Sequence, residues 1–188
     1  MKLVILGGPG AGKGTQAALL CSKLGIPLVS TGEILREEIA AQTDLGKKAE
    51  SYVEEGELVP DPTIISFIRK RLVQPDTAKG WLLDGYPRTA FQAEELDFLL
   101  DELGQRLRWA IYLKLPDSVL MERCLNRQDG RLDDREEIVQ RRIDLFNDRT
   151  IPILEYYDYR DRLLTIDAAG PPDRVLQEIL QGVDPAKG

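Results

Sequence analysis

Short apolar runs recur along this chain, separated by longer stretches in which apolar residues return every three or four positions. The runs are Leu3 to Leu6, Leu28 to Val29, Trp81 to Leu83, Trp109 to Leu113 and Leu163 to Ile166. Runs of this length read as strands and the stretches between them as helices, so the alternation predicts a parallel sheet covered by helices. Helix starts are marked locally. Thr31 can cap a helix through Ile34, Leu35 and Ile39, and Asp61 with Pro62 opens one through Ile64, Ile65, Ile68 and Leu72. Pro116 and Asp117 start another, and Pro171 to Asp173 start the last. No internal repeat or low-complexity tract interrupts the pattern, and only Gly182 to Gly188 reads as a loose tail.

Composition sets the scale. With 188 residues, 43% of them apolar, the chain has the length of one domain and enough apolar side chains for a hydrophobic core. The formal charge of −7 argues against a general nucleic-acid or membrane-surface binder, because both partners are themselves anionic. A polyanionic ligand must therefore meet locally placed cations. Histidine is absent and the two cysteines, Cys21 and Cys124, have no CxxC spacing, so zinc sites, disulfide frameworks and histidine-dependent mechanisms lack their ligands or bases. A reducing, cytosolic setting is expected. The apolar run before Gly7 is too short for the core of a signal peptide or for a membrane span, so no targeting segment is expected.

GGPGAGKGTQ, residues 7 to 16, lies between the first predicted strand and the helix expected to begin near Lys13. Its glycines let successive backbone amides turn inward around an anion, and the helix points its positive end at the same place. This is a phosphate-binding loop, with Lys13 placed to reach the β- and γ-phosphates of a nucleotide. The usual pattern has Ser or Thr directly after the lysine; here Gly14 intervenes and Thr15 follows. A bound triphosphate needs magnesium. The apolar run WLLDG would deliver the Asp84 carboxylate beside the loop, making Asp84 and Thr15 the candidate metal contacts, in part through water.

Taken together, GGPGAGKGTQ, STGEILR, LLDGYPRT with Gln92, and GRLDD followed by Arg142 resemble the adenylate kinases over nearly the whole chain. In that family GKGT replaces the commoner pattern, which removes the anomaly of Gly14. The resemblance implies an α/β fold, a P-loop three-layer sandwich with a five-stranded parallel sheet flanked by helices. It implies one kinase domain over 1–188, with a small AMP-binding lobe over 30–59 and a short lid over 126–136. It also implies ATP and AMP as substrates, ADP as product, magnesium as cofactor and a cytoplasmic monomer without nucleic-acid or membrane partners.

The resemblance carries roles onto particular residues. Gly10, Ala11, Gly12, Lys13, Gly14 and Thr15 match the ATP-binding loop, Arg123 and Arg127 match ATP-side residues, and Gly170 in IDAAGPP matches the backbone that reads the ATP base. Thr31, Arg36 and Glu57 to Val59, with Leu58 between, match AMP contacts, and a backbone role is expected at Glu57. Gly85 would give a close backbone approach, Arg88 would hold the AMP phosphate with two parallel hydrogen bonds, and Gln92 would pair an amide with the adenine edge. Arg131 and Arg142 match residues gripping the phosphates. Asp133 and Asp134 match the lid's acidic pair. The lid lacks the longer insertion that binds zinc in many bacterial relatives, so no structural zinc is expected. Arg135 has no assigned role.

Charge density does not identify the arginines. Residues 123 to 149 hold seven arginines and seven acidic residues, a locally neutral segment that would equally suit a salt-bridged surface helix. Placement matters more: Gln128-Asp129-Gly130 breaks helical continuity, so Arg127 and Arg131 flank a loop while Arg142 returns on a later helix. With no histidine as base, attack by an already ionised AMP oxygen needs only positioning and charge neutralisation by Lys13, Arg88, Arg127, Arg131 and Arg142. Uridylate and cytidylate kinases are the nearest alternative, but they usually carry Ala at the position of Thr31 and Asn at that of Thr89. A nucleotide switch is disfavoured by the absence of an NKxD motif, and an idle homologue by the presence of every expected arginine.

Overall fold

The computed structural model describes residues 1–55, 59–126 and 135–184. Five strands, β1 (Lys2–Leu6), β2 (Leu28–Ser30), β3 (Trp81–Asp84), β4 (Trp109–Lys114) and β5 (Leu163–Asp167), form one all-parallel sheet in the order β2-β3-β1-β4-β5. Every apolar run of the sequence is therefore a strand. Side chains alternate between the two faces of the sheet. Leu3 and Ile5 enter one core with Leu20, Leu82, Ile111, Ile166 and Ile179, while Val4 and Leu6 enter the other with Val29, Leu83, Ile68, Leu96 and Tyr157. Burial on both faces is why the strands read as continuous apolar runs.

Nine helices lie among the described residues: α1 (Lys13–Leu24), α2 (Thr31–Ala40), α3 (Asp44–Glu54), α4 (Asp61–Leu72), α5 (Ala90–Glu102), α6 (Asp117–Leu125), α7 (Glu136–Leu145), α8 (Ile151–Asp158) and α9 (Pro172–Val183). A π-helical turn, Phe146–Thr150, joins α7 to α8. Two sequence expectations need correction. Thr31 is not the cap of α2 but its first residue; the cap is Ser30, whose Oγ accepts the Glu33 N–H at 3.3 Å. The C-terminal tail begins later than Gly182, because α9 continues through Val183, which is buried in the first core.

Strand order reverses about β1, whose neighbours β3 and β4 lie on opposite sides, and such a switch point opens a crevice at the carboxyl ends of the strands. Register fixes what meets there. Ile5 pairs with Asp84 and Ser30 pairs with the same Asp84, so the segments that follow β1, β2 and β3 leave the sheet side by side.

Candidate active site

The loop after β1 is shaped by its glycines. Gly10 takes φ 81°, and a Cβ there would stand 2.6 Å from the Leu120 carbonyl oxygen, so the position admits neither the conformation nor the bulk of another residue. Gly12, at φ 86°, caps α1, and the Gln16 N–H donates to its carbonyl at 3.0 Å. The N-terminal end of α1, from Gly12 to Thr15, thereby lines the crevice, where a helix N-terminus favours an anion. Lys13 is folded back into the loop: its Nζ donates to the Gly7 carbonyl at 2.8 Å and to that of Gly8 at 2.9 Å.

A cleft of about 510 Å³ runs from this loop past α2 to the segment after β3. It is lined by Gly10, Gly12, Lys13, Gly14 and Thr15 from the loop, by Gly32, Glu33 and Arg36 from α2, by Asp84, Gly85 and Arg88, and by Arg142 from α7. A recess of about 80 Å³ shares Lys13, Gly85, Arg88 and Arg142 and is closed by Leu145, Phe146 and Thr150. Four cations, Lys13, Arg36, Arg88 and Arg142, and two carboxylates, Glu33 and Asp84, from four separate chain segments meet here, in a protein of net charge −7. Such a concentration of arginine and lysine beside a helix N-terminus suits a polyanion in transfer.

The flank of the cleft between α2 and the segment after β3 is built by short polar contacts. Thr31 Oγ1 donates to the Asp84 carbonyl at 3.2 Å. Gly85 takes φ 87°, and a Cβ there would come within 2.4 Å of Thr31 Oγ1 and 3.4 Å of Arg88 Nη2, so only glycine lets these two side chains close around the backbone. The Arg36 guanidinium turns back over Gly32, with Nη1 3.3 Å from where a side chain at that glycine would begin. Arg88 Nε donates to the Gly85 carbonyl at 2.8 Å, and the Arg88 carbonyl accepts the Thr150 hydroxyl at 2.9 Å.

Gln92 is 2% exposed and lies behind the cleft lining. Its Oε1 accepts the Arg88 N–H at 2.7 Å, and its own N–H donates to Thr89 Oγ1, the cap of α5, at 3.1 Å. Tyr86, buried before a cis Tyr86–Pro87 peptide, donates its hydroxyl to the Gln92 carbonyl at 3.2 Å.

Arg123 and Gly170 form a separate group on the other flank of the loop. Arg123 Nη2 donates to the Ala168 carbonyl at 3.3 Å, and its Cβ lies 3.4 Å from a Cβ placed on Gly10. Gly170 lies two residues further, and a Cβ there would meet the Arg174 guanidinium at 2.7 Å. Val59 is buried with Val29 and Ile64 in the second core. Glu57, Leu58, Arg127, Arg131, Asp133 and Asp134 lie outside the described residues, as does most of the span 126–136. Sequence reasoning missed Thr150 and Tyr86. Thr150 holds Arg88 across 62 residues, a separation that carries no local signal, and the YP in DGYPRT marks a turn without revealing its hydroxyl contact.

Comparison with known proteins agrees with this geometry. The family model for adenylate kinase matches residues 5–162. The chain is 61% identical over 181 residues to a protein named adenylate kinase 2 from Nostoc sp., covering 96% of this chain and 97% of that one. It is 54% identical over 180 residues to adenylate kinase 2 from Synechocystis sp., covering 96% and 98%. It is also similar to adenylate kinase from Thermosipho melanesiensis, at 41% identity over 209 aligned positions, 96% of this chain and 98% of that protein.

Proposed function

The chain belongs to the adenylate kinase family, and from that premise we propose how its cleft moves a phosphoryl group between two nucleotides. The reaction is reversible transfer of the γ-phosphoryl group of ATP to AMP, giving two ADP. We assign ATP to the loop Gly10, Ala11, Gly12, Lys13, Gly14 and Thr15, with its base toward Arg123 and Gly170. AMP belongs at Thr31, Arg36, Val59, Gly85, Arg88 and Gln92, together with Glu57 and Leu58. The observation that carries this reading is the meeting of Lys13, Arg36, Arg88 and Arg142 in one cleft at the end of α1.

Lys13 leaves the Gly7 and Gly8 carbonyls when a stronger acceptor, a phosphate oxygen, enters the loop. Arg88 holds the acceptor phosphate, and Arg142 meets the same point from α7, with Arg127 and Arg131 closing from the lid. An ionised AMP oxygen attacks in line, so no base is needed. Arginine contributions of roughly 10³ to 10⁵ in rate are the scale for such transfers. The lobe 30–59 and the lid 126–136 close when both nucleotides are bound, which keeps water from the phosphoryl group.

Magnesium enters with ATP. The described residues contain no group of three or more His, Cys, Asp or Glu that could hold a metal, whereas Thr15 and Asp84 line one cleft. Thr15 and Asp84 would hold the ion through two oxygens, in part through water, and when bound it would supply charge neutralisation to the phosphates. We propose that the protein works as a monomer, as the resemblance to the adenylate kinases implies. None of the described helices is long and apolar enough to cross a membrane. Cys21 and Cys124 are buried as thiols rather than bridged in a disulfide, which suits the cytoplasm. ADP formation from ATP and AMP, followed with magnesium and again after chelation, tests the reading: rapid turnover in the first case only supports it, and equal rates contradict the magnesium role.

A further inference from the structure

One buried polar side chain near the loop has no part in the transfer described above. Gln16, in the first turn of α1, is 4% exposed and precedes Ala17, which lies with Leu20 in the first core. Its Nε2 donates to the Pro172 carbonyl at 2.9 Å, a contact spanning 156 residues, while its Oε1 is buried and has no partner among the described residues. A half-satisfied amide is a poor core group, since methionine or leucine fills the same volume without burying an unpaired oxygen. Packing therefore does not account for glutamine at this position.

The contact it does make is specific. Pro172 opens α9 and ends the turn that leaves β5. Arg123 grips the same turn at the Ala168 carbonyl, the Ala168 N–H donates to the Lys114 carbonyl at 3.1 Å, and Asp167 Oδ1 accepts the Ala169 N–H at 3.0 Å. Gln16 is the link that runs from α1, the helix beginning in the phosphate loop, directly to the far end of this turn. A nucleotide whose phosphates lie in the loop and whose base lies at the turn has its two ends held by parts that Gln16 ties together.

We infer that Gln16 is a positioning residue that fixes the Ala168–Pro172 turn relative to the phosphate loop and so sets the enzyme's discrimination among donor bases. The inference rests on the reading that this turn meets the donor base. Cutting the tether leaves the phosphate grip intact and loosens the base contact. Damage to the loop itself would weaken every triphosphate alike, because phosphates are common to all of them.

The test is steady-state kinetics of Gln16→Met with ATP and with GTP as donors at saturating AMP, alongside thermal melting. The expected result is a three- to tenfold rise in KM for ATP, the scale of one neutral hydrogen bond. The preference for ATP over GTP falls by a similar factor, and kcat with ATP and KM for AMP change less than twofold. Gln16→Asn, which keeps an amide one methylene too short, should behave the same way and serves if the first variant folds poorly. Equal losses with ATP and GTP, or a lowered melting temperature with unchanged discrimination, would overturn the inference. A wild-type protein with no AMP-dependent ADP formation, or with no preference for ATP over GTP, would instead overturn the reading beneath it.

Discussion

The backbone N–H of Arg88 donates to Gln92 Oε1 at 2.7 Å. This bond joins the arginine assigned to the acceptor phosphate to the amide assigned to the acceptor base. Thr89 Oγ1 fixes Gln92 from the helix cap, Thr150 holds the Arg88 carbonyl, and Tyr86 holds the Gln92 carbonyl, so both residues stand on one over-determined turn. Rigidity of this kind lets a base contact and a phosphate contact reinforce each other, because neither has to be ordered when the nucleotide arrives.

Arg88→Ala separates chemistry from stability. Arg88 is exposed, and its carbonyl and N–H bonds survive truncation. Turnover is expected to fall by orders of magnitude while the melting temperature stays within a few degrees of wild type. Activity near wild type in a coupled assay would remove Arg88 from the transfer machinery.

Gln92→Ala acts on both. It leaves the Arg88 N–H without its acceptor, at a cost of about 1–3 kcal/mol measurable by urea denaturation. It should also blur the preference for AMP over CMP. A destabilised variant that still discriminates fully between the two would mean that Gln92 supports the turn without reading the base.

Gly85→Ala probes the close approach. Its φ of 87° and the 2.4 Å approach of Thr31 Oγ1 to any added Cβ force a shift of the turn or of Thr31. Left-handed strain alone costs about 1–2 kcal/mol. KM for AMP is expected to rise about tenfold or more with KM for ATP unchanged, and equal effects on both substrates would argue against an acceptor-side role.

Much of this arrangement is visible in the sequence, and the rest is hidden for identifiable reasons. Five apolar runs became five strands because burial on both faces leaves no polar alternation to misread. The loop, Asp84 and Arg88 were legible because each lies within a few residues of a strand end. The cap of α2 was misplaced by one residue, since Ser30 and Thr31 are both good caps and only the register of Ser30 against Asp84 decides between them. Contacts such as Thr150 with Arg88, or Gln16 with Pro172, join residues far apart in the chain and have no periodicity to betray them.

The cysteines give a pH-dependent prediction. Burial pushes the Cys21 thiol up from 9.0 to about 11, favouring the protonated form in the folded state. The stabilisation from this is complete below pH 9 and is lost as pH rises from 9 through about 11. Melting temperatures should fall over that window, and less so in Cys21→Ala. At pH 8 neither Cys21 nor Cys124, both buried, should react with a thiol reagent until the protein unfolds, so rapid labelling of the native protein would contradict the burial.

The central claim is that one cleft joins a magnesium-bound ATP to AMP, and it is tested most directly by offering acceptors separately. ADP formation from ATP and magnesium would be measured with AMP, UMP, CMP or GMP, each against ATP alone. Fast turnover with AMP only, and almost none without an acceptor, is the predicted result. Preference for UMP or CMP would keep the transfer chemistry but contradict the roles given to Thr31 and Gln92, and ADP formation indifferent to any acceptor would contradict the account as a whole.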